Sequence, residues 1–362
     1  MKARWFALIA TIVAVIATLL ATDTAAPAAT PPAGFDVAGL DMHGGTVVQV
    51  GTTYYLYGEL YGCGFTWQQA NTPWCGFGVS TSTDKVTWST PQLLFDPNAV
   101  DPVDNMTWKQ VCGGTGADCY APRMIQRSGW GANDGVWILW FDAPYDWNVN
   151  HTVNSYYAMG CNGPAGPCGY TAPYGTVHKP NLAHCGGNAD LDLVTPATGA
   201  PVALCTNSDQ TVSEDEIGTW GTDGDGTGSS NVAGLTNVEG LGAYHDPATG
   251  TWIMTYSDPN CKYCAGTQTG YATATNLLGP WTAPSNPGVA APATDRRALT
   301  PTSCGGQPDT IATIDGYPYQ IIDIWTGAMN ETTAPLHFEP LTYNPTGQPG
   351  TLWQPFNVWQ CQ

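Results

Sequence analysis

The sequence predicts an all-β chain folded as a five-bladed β-propeller, and three observations carry that expectation. Strand-like segments rich in aromatic and β-branched residues alternate with Gly, Asp and Asn turns along the chain. No amphipathic helical stretch of convincing length follows the N-terminal apolar run. One unit, an apolar strand, a turn and a strand dense in aromatics, recurs five times at spacings of roughly 50 to 80 residues.

The first unit is residues 46–57 (TVVQVGTTYYLY) and the second is 124–126 (MIQ) before 136–141 (VWILWF). A fainter third is 191–194 (LDLV) before 201–205 (PVALC). The fourth, 241–256 (LGAYHDPATGTWIMTY), is the clearest, and 310–322 (TIATIDGYPYQII) is the fifth. Units one, two and four are followed by a second signature of small residues and a turn, at 78–88, 156–167 and 270–281. Radial repetition of four-stranded sheets protects their edges and brings the inner strands together at one axis. A β-sandwich is the competing architecture.

Lys2 and Arg4 precede an apolar run from Trp5 to Ala21 and small residues near Ala26, the order of a secretory signal peptide. A membrane anchor is the alternative, but the run is short for a span. The expected organisation is a signal over 1–26 and one propeller domain over 27–362, opening with a Pro/Ala tail at 27–34. The mature protein is expected outside the cell, as a monomer. The chain has 10 basic and 29 acidic residues, a net charge of −19, so nucleic acid and anionic membranes are poor partners and a neutral glycan is compatible. No cofactor is expected.

Twelve cysteines in an exported chain imply disulfides. Proximity in sequence suggests Cys63 with Cys75, Cys112 with Cys119, Cys161 with Cys168, and Cys261 with Cys264. The remaining four can pair as Cys185 with Cys205 and Cys304 with Cys361, one of several connectivities that sequence permits. Cys261-Lys262-Tyr263-Cys264 also reads as a redox or zinc half-site, but neither a second such pair nor a His pair accompanies it, so no metal is expected.

Several short anchors span nearly all of the chain after the signal: Asp41-Met42-His43-Gly44-Gly45 before Tyr54 to Glu59, Ala121-Pro122-Arg123, Asp190-Leu191-Asp192-Leu193, Val238-Glu239-Gly240, and Gln307 followed by Asp323-Ile324-Trp325. In this order they resemble the five-bladed propellers of glycoside hydrolase family 43, particularly the branch containing exo-β-1,3-galactanases. The resemblance implies hydrolysis of a plant or microbial polysaccharide with inversion, exo-acting on arabinogalactan-type chains, at β-1,3-galactan or α-L-arabinofuranosyl linkages. Inversion needs an acid on the departing oxygen and a second group that readies water on the opposite face of the sugar.

Glu239 matches the acid, and its uncharged neighbours Val238, Gly240 and Leu241 favour a neutral carboxyl. Asp190 matches the family residue that holds the acid's charge state; Asp192, on the same face by alternation, is its rival. The family's usual base, an Asp-Pro before the first strand, falls where His43-Gly44 stands. The galactanase-like branch uses a glutamine opposite the acid, matched by Gln307; Asp41 is the carboxylate alternative. Sugar contacts are expected from His43, Glu59, Tyr120, Arg123, Asp323 and Trp325. The branch has Glu-Arg-Pro where this chain has Tyr120-Ala121-Pro122, which leaves the substrate open.

Trp67 and Trp74 are further stacking candidates, although most of the 15 tryptophans must pack the core. Asp84, within 82–88, resembles a structural Asp-box turn. A sialidase is disfavoured because only Arg123, Arg127, Arg296 and Arg297 follow the signal. The alternative from another class is a propeller that binds glycans without cleaving them.

Overall fold

The computed structural model describes residues 32–67, 69, 71–113, 119–127, 134–144, 154–169, 177–186, 190–261, 263–285, 296–342 and 361. The expected signal segment 1–26 and the first part of the tail lie outside these residues.

Five four-stranded antiparallel sheets make the five blades. Blade 1 runs Val47–Val50, Thr53–Glu59, Phe77–Ser82 and Gln92–Leu93, from the axis outward. Blade 2 is Tyr120–Gln126, Trp137–Asp142, Tyr156–Cys161 and Val177–His178, and blade 3 is Leu191–Val194, Val202–Thr206, Val212–Ile217 and Gly224–Ser230. Blade 4 is Glu239–Asp246, Thr251–Asp258, Gln268–Ala274 and Ala298–Thr300. Blade 5 takes Gln307–Ile314, Tyr317–Asp323 and Leu336–Pro340 from the end of the propeller sequence and its outer strand, Phe35–Val37, from the beginning. Phe35 pairs with Phe338 and stacks on its ring at 4.5 Å, so the two ends of the domain close the circle through one sheet.

The middle strands read as apolar runs because each blade is packed on both faces. Side chains alternate between the faces of a strand. Trp137, Leu139 and Phe141 accordingly join the core between blades 1 and 2, while Ile138 and Trp140 join the core between blades 2 and 3. Val202 and Leu204 turn the other way from Ala203 and Cys205, into the core shared with blade 4. Blades 5 and 1 meet over Ile321, Phe338, Leu56 and Tyr54, and blades 4 and 5 over Ile253, Tyr271 and Ile322.

Six disulfides join Cys63–Cys75, Cys112–Cys119, Cys161–Cys168, Cys185–Cys205, Cys261–Cys264 and Cys304–Cys361. Among the described residues, no helix is long and apolar enough to cross a membrane.

Candidate active site

Antiparallel pairing places the start of each inner strand beside the end of the second strand, and both open at one axial mouth. A cavity of about 420 Å³ lies there. Tyr120, Asp190, Glu239 and Gln307 reach it from the beginnings of inner strands; Glu59 and Asp323 reach it from the ends of second strands. Glu59, Asp142, Asp258 and Asp323 each close the second strand of a blade, so an acidic residue at that position recurs in four of the five.

Glu239 is 8% exposed, and its Oε1 accepts hydrogen bonds from the Cys261 amide at 2.7 Å and from Gln307 Nε2 at 2.7 Å. The Gln307 amide is oriented by Trp325, whose indole Nε1–H donates to Gln307 Oε1 at 2.8 Å. An indole N–H only donates, so the carbonyl of Gln307 must face Trp325 and its NH2 must face Glu239. The gap of roughly 6.5 to 9.5 Å that separates the carboxyl pair of an inverting enzyme is absent between these two side chains, which touch. Sugar or water bound between them must displace that contact.

The backbone explains why glycine follows Glu239. Gly240 has φ +62°, and a Cβ there would lie 2.1 Å from the Pro308 carbonyl oxygen. Its N–H donates to Asp190 Oδ2 at 2.8 Å, which ties blade 3 to blade 4 beside the acid. The strand register shifts between Glu239 and Gly242, and again between Tyr120 and Arg123 and between Pro308 and Ile311. Such bulges re-aim side chains at a rim.

Arg123 does not line the cavity. It is 2% exposed beneath it, where its Nε donates to Asp192 Oδ1 at 3.1 Å, Nη2 to Asp309 Oδ1 at 2.8 Å and Nη1 to the Gly44 carbonyl at 2.8 Å. One guanidinium thereby joins blades 2, 3 and 5 to the segment entering blade 1. A sugar contact was expected of Arg123; three acceptors hold it at the axis instead.

His43 is wholly buried and stacks on Tyr61 with ring centroids 4.9 Å apart, so it too lies behind the cavity wall. Its Nε2 is 3.3 Å from Asp41 Oδ1 but not aligned for a hydrogen bond. Asp41 accepts from the Tyr61 amide at 2.9 Å and the Gly62 amide at 2.8 Å and does not line the cavity. Trp74 is 1% exposed in the core against Phe77, whereas Trp67 and Trp325 both line the cavity. Asp84 accepts from the Val86 and Thr87 amides at 2.9 and 2.7 Å in an exposed turn, the expected structural device.

Asp309 lines the cavity without having been singled out from the sequence. It stands two residues after Gln307, as Asp192 stands two after Asp190, and this spacing is the signal that could have found it. The wall then carries five acidic residues, Glu59, Asp190, Glu239, Asp309 and Asp323. Burial pushes Asp190 up, opposed by the Gly240 amide and by Arg123. Burial pushes Asp309 well above the usual carboxylate range, and the neighbouring charge of Asp323 adds to it against the pull of Arg123. Asp323 is pushed up to about 6 by burial, held from rising further by His43, the Gly44 amide and Arg123.

No protein-family model and no curated protein matches the sequence. Solved structures match the fold. A family 43 β-1,3-galactosidase bound to galactodeoxynojirimycin superposes with a TM-score of 0.62 at 15% identity, covering 85% of this chain and 93% of that one. The fold is the one these hydrolases share. An exo-β-1,3-galactanase from Phanerochaete chrysosporium, bound to β-1,3-galactotriose, gives 0.59 at 15% identity over 86% of this chain. The match spans 65% of that enzyme's length. A putative exo-β-1,3-galactanase from Bifidobacterium bifidum gives 0.58 at 16% identity, covering 83% and 88% of the two chains.

Proposed function

We propose that this protein is a secreted, inverting glycoside hydrolase that removes terminal sugars from arabinogalactan-type chains, most directly from β-1,3-galactan. The observation that carries the reading is the Trp325–Gln307–Glu239 chain of hydrogen bonds at a mouth walled by carboxylates. The neighbours of like fold, named for β-1,3-galactan chemistry, support it.

Glu239 serves as the acid. Both of its amide donors reach Oε1, so a transferable proton belongs on Oε2, from which it passes to the departing glycosidic oxygen as the C1–O bond breaks. Gln307 positions the attacking water: its carbonyl oxygen has two lone pairs, and Trp325 uses one of them. The water's oxygen bonds to C1 and its proton must leave, but a neutral amide does not hold a proton. Asp323, paired with Gln307 across the strands, is the ionisable group at hand to accept it. Asp190 holds the Gly240 amide and thereby the aim of Glu239. Asp41, committed to two backbone amides, is left out of the chemistry.

Product analysis on β-1,3-galactan, arabinan and xylan tests the reading. Galactose released first as the α-anomer, seen by proton NMR, is the expected result. Turnover of arabinan alone would move the substrate assignment to arabinofuranosyl linkages. Binding to any of these polymers without release of sugar would replace the enzyme with a lectin-like propeller.

A further inference from the structure

Two disulfide-closed loops meet at the cavity. The loop closed by Cys63–Cys75 follows the second strand of blade 1 and carries Trp67; the loop closed by Cys261–Cys264 follows the second strand of blade 4 and carries Tyr263. Both aromatic rings line the cavity. They meet edge to face with centroids 4.9 Å apart, and Tyr263 also meets Trp325 edge to face at 4.7 Å. The Tyr263 hydroxyl lies 3.0 Å from that of Tyr61, which donates to Glu59 Oε2 at 2.8 Å.

The second loop is joined to the chemistry as well. Its Cys261 amide donates to Glu239 Oε1, and the preceding Asn260 donates to Gln210 Oε1 and, through its backbone, to the Asn237 carbonyl. The bridge joins Cys261, whose N–H is on Glu239, to Cys264, the neighbour of Tyr263, whose ring meets Trp67. We infer that the two loops form an aromatic clamp on the terminal sugar, and that the Cys261–Cys264 bond sets both the grip of the clamp and the position of Glu239. A neutral pyranose suits it, with C–H faces against the rings of Tyr263 and Trp67 and hydroxyls toward Glu59 and Asp323. The inference rests on the glycan reading of the site but does not require turnover.

The test compares the parent with Tyr263→Ala, Tyr263→Phe and the double variant Cys261→Ser with Cys264→Ser. Cys161→Ser with Cys168→Ser, a bridge in the core between blades 1 and 2, is the control. Galactose and β-1,3-galactobiose are titrated by tryptophan fluorescence and calorimetry, and KM and kcat are measured on the galactan. Tyr263→Ala should weaken sugar binding by about tenfold, about 1.4 kcal/mol, and raise KM more than it lowers kcat. The Cys261/Cys264 variant should do both, lowering kcat because the amide on Glu239 is no longer held. Tyr263→Phe, which keeps the ring, should stay near the parent in affinity.

Affinities and kcat within twofold of the parent for Tyr263→Ala and the Cys261/Cys264 variant overturn the inference. An equal loss in the Cys161/Cys168 control also overturns it, since that marks a general effect on the fold. If the double variant does not fold, Tyr263→Ala decides. If the parent binds these sugars without hydrolysing any polymer, the catalytic reading fails while the clamp is still judged by binding; if it binds none of them, the clamp fails too.

Discussion

Arg123 supports a prediction whose size follows from its surroundings. Replacing it with Met keeps a long apolar stem but removes the guanidinium that accompanies Asp192, Asp309 and the Gly44 carbonyl. Breaking a buried ion pair from one side costs about 3–5 kcal/mol, because the remaining charge is stranded. The propeller unit, Pro32 to Gln362, unfolds with an entropy of roughly 0.7 kcal/mol/K at about 2.1 cal/mol/K per residue, so Tm should fall by about 4–7 °C.

The loss must depend on pH in a definite sense. Burial already raises Asp192 and Asp309 in the folded protein, and removing the cation raises them further. A carboxyl raised on folding disfavours the folded state progressively as pH climbs from its unfolded value toward its folded one, and does so little below both. The Tm deficit of Arg123→Met should therefore be largest near pH 8 and smallest near pH 4. Arg123→Lys should recover only part of it, since one ammonium cannot span the same three acceptors. Calorimetry at both pH values decides: a deficit independent of pH, or one that grows in acid, refutes the account of Arg123 as the counter-charge of the axis.

Three further outcomes follow from the site. Gln307→Ala should lower kcat by about 10² to 10⁴-fold, the range for a group acting in the transition state, whereas Asp41→Asn should leave kcat within a few-fold of the parent; comparable losses in the two would restore Asp41 as the base. The acid limb of kcat/KM should fall as pH drops through about 6, where Asp323 takes up a proton, and a pH–rate profile that stays flat from pH 7 to pH 4.5 would remove Asp323 from the mechanism. Burial also pushes Asp142 up to about 8, so its stability cost appears above pH 3.8 and is complete near pH 8. Asp142→Asn should stabilise at pH 8 by as much as about 5 kcal/mol and hardly at all at pH 4, read from denaturant midpoints.

The blade count was legible because a propeller repeats its pattern. Each second strand is packed on both faces and so is rich in apolar and aromatic residues, most plainly in 137–141. The fold also explains the glycine after Glu239, which the sequence offered only as part of a motif: the Pro308 carbonyl and a positive φ exclude a side chain there. What pattern does not carry is depth along the axis. His43 and Arg123 belong to short segments that do approach the mouth, yet one stacks behind Tyr61 and the other binds carboxylates beneath the cavity. Whether a side chain ends in the wall or under it depends on bulges at Tyr120–Arg123 and Pro308–Ile311, which break the twofold alternation that sequence reasoning relies on.

Asp309 was missed for a related reason, since Gln307 drew attention as the residue opposite the acid while the carboxylate two positions on went unread. The structure gives Asp309 and Asp323, both in the wall, different surroundings. Asp309, pushed well up by burial, meets Arg123, while Asp323, pushed up to about 6, faces the Gly44 amide. Five acidic residues around one cavity cannot all be ionised above a single guanidinium, so the wall must sort itself into protonated and ionised members. The proposed hydrolysis needs such a division, with Glu239 as the acid and Asp323 as the acceptor of the proton from water. It arises from which carboxyl each blade presents and how near it stands to Arg123, and neither quantity is written in any one motif.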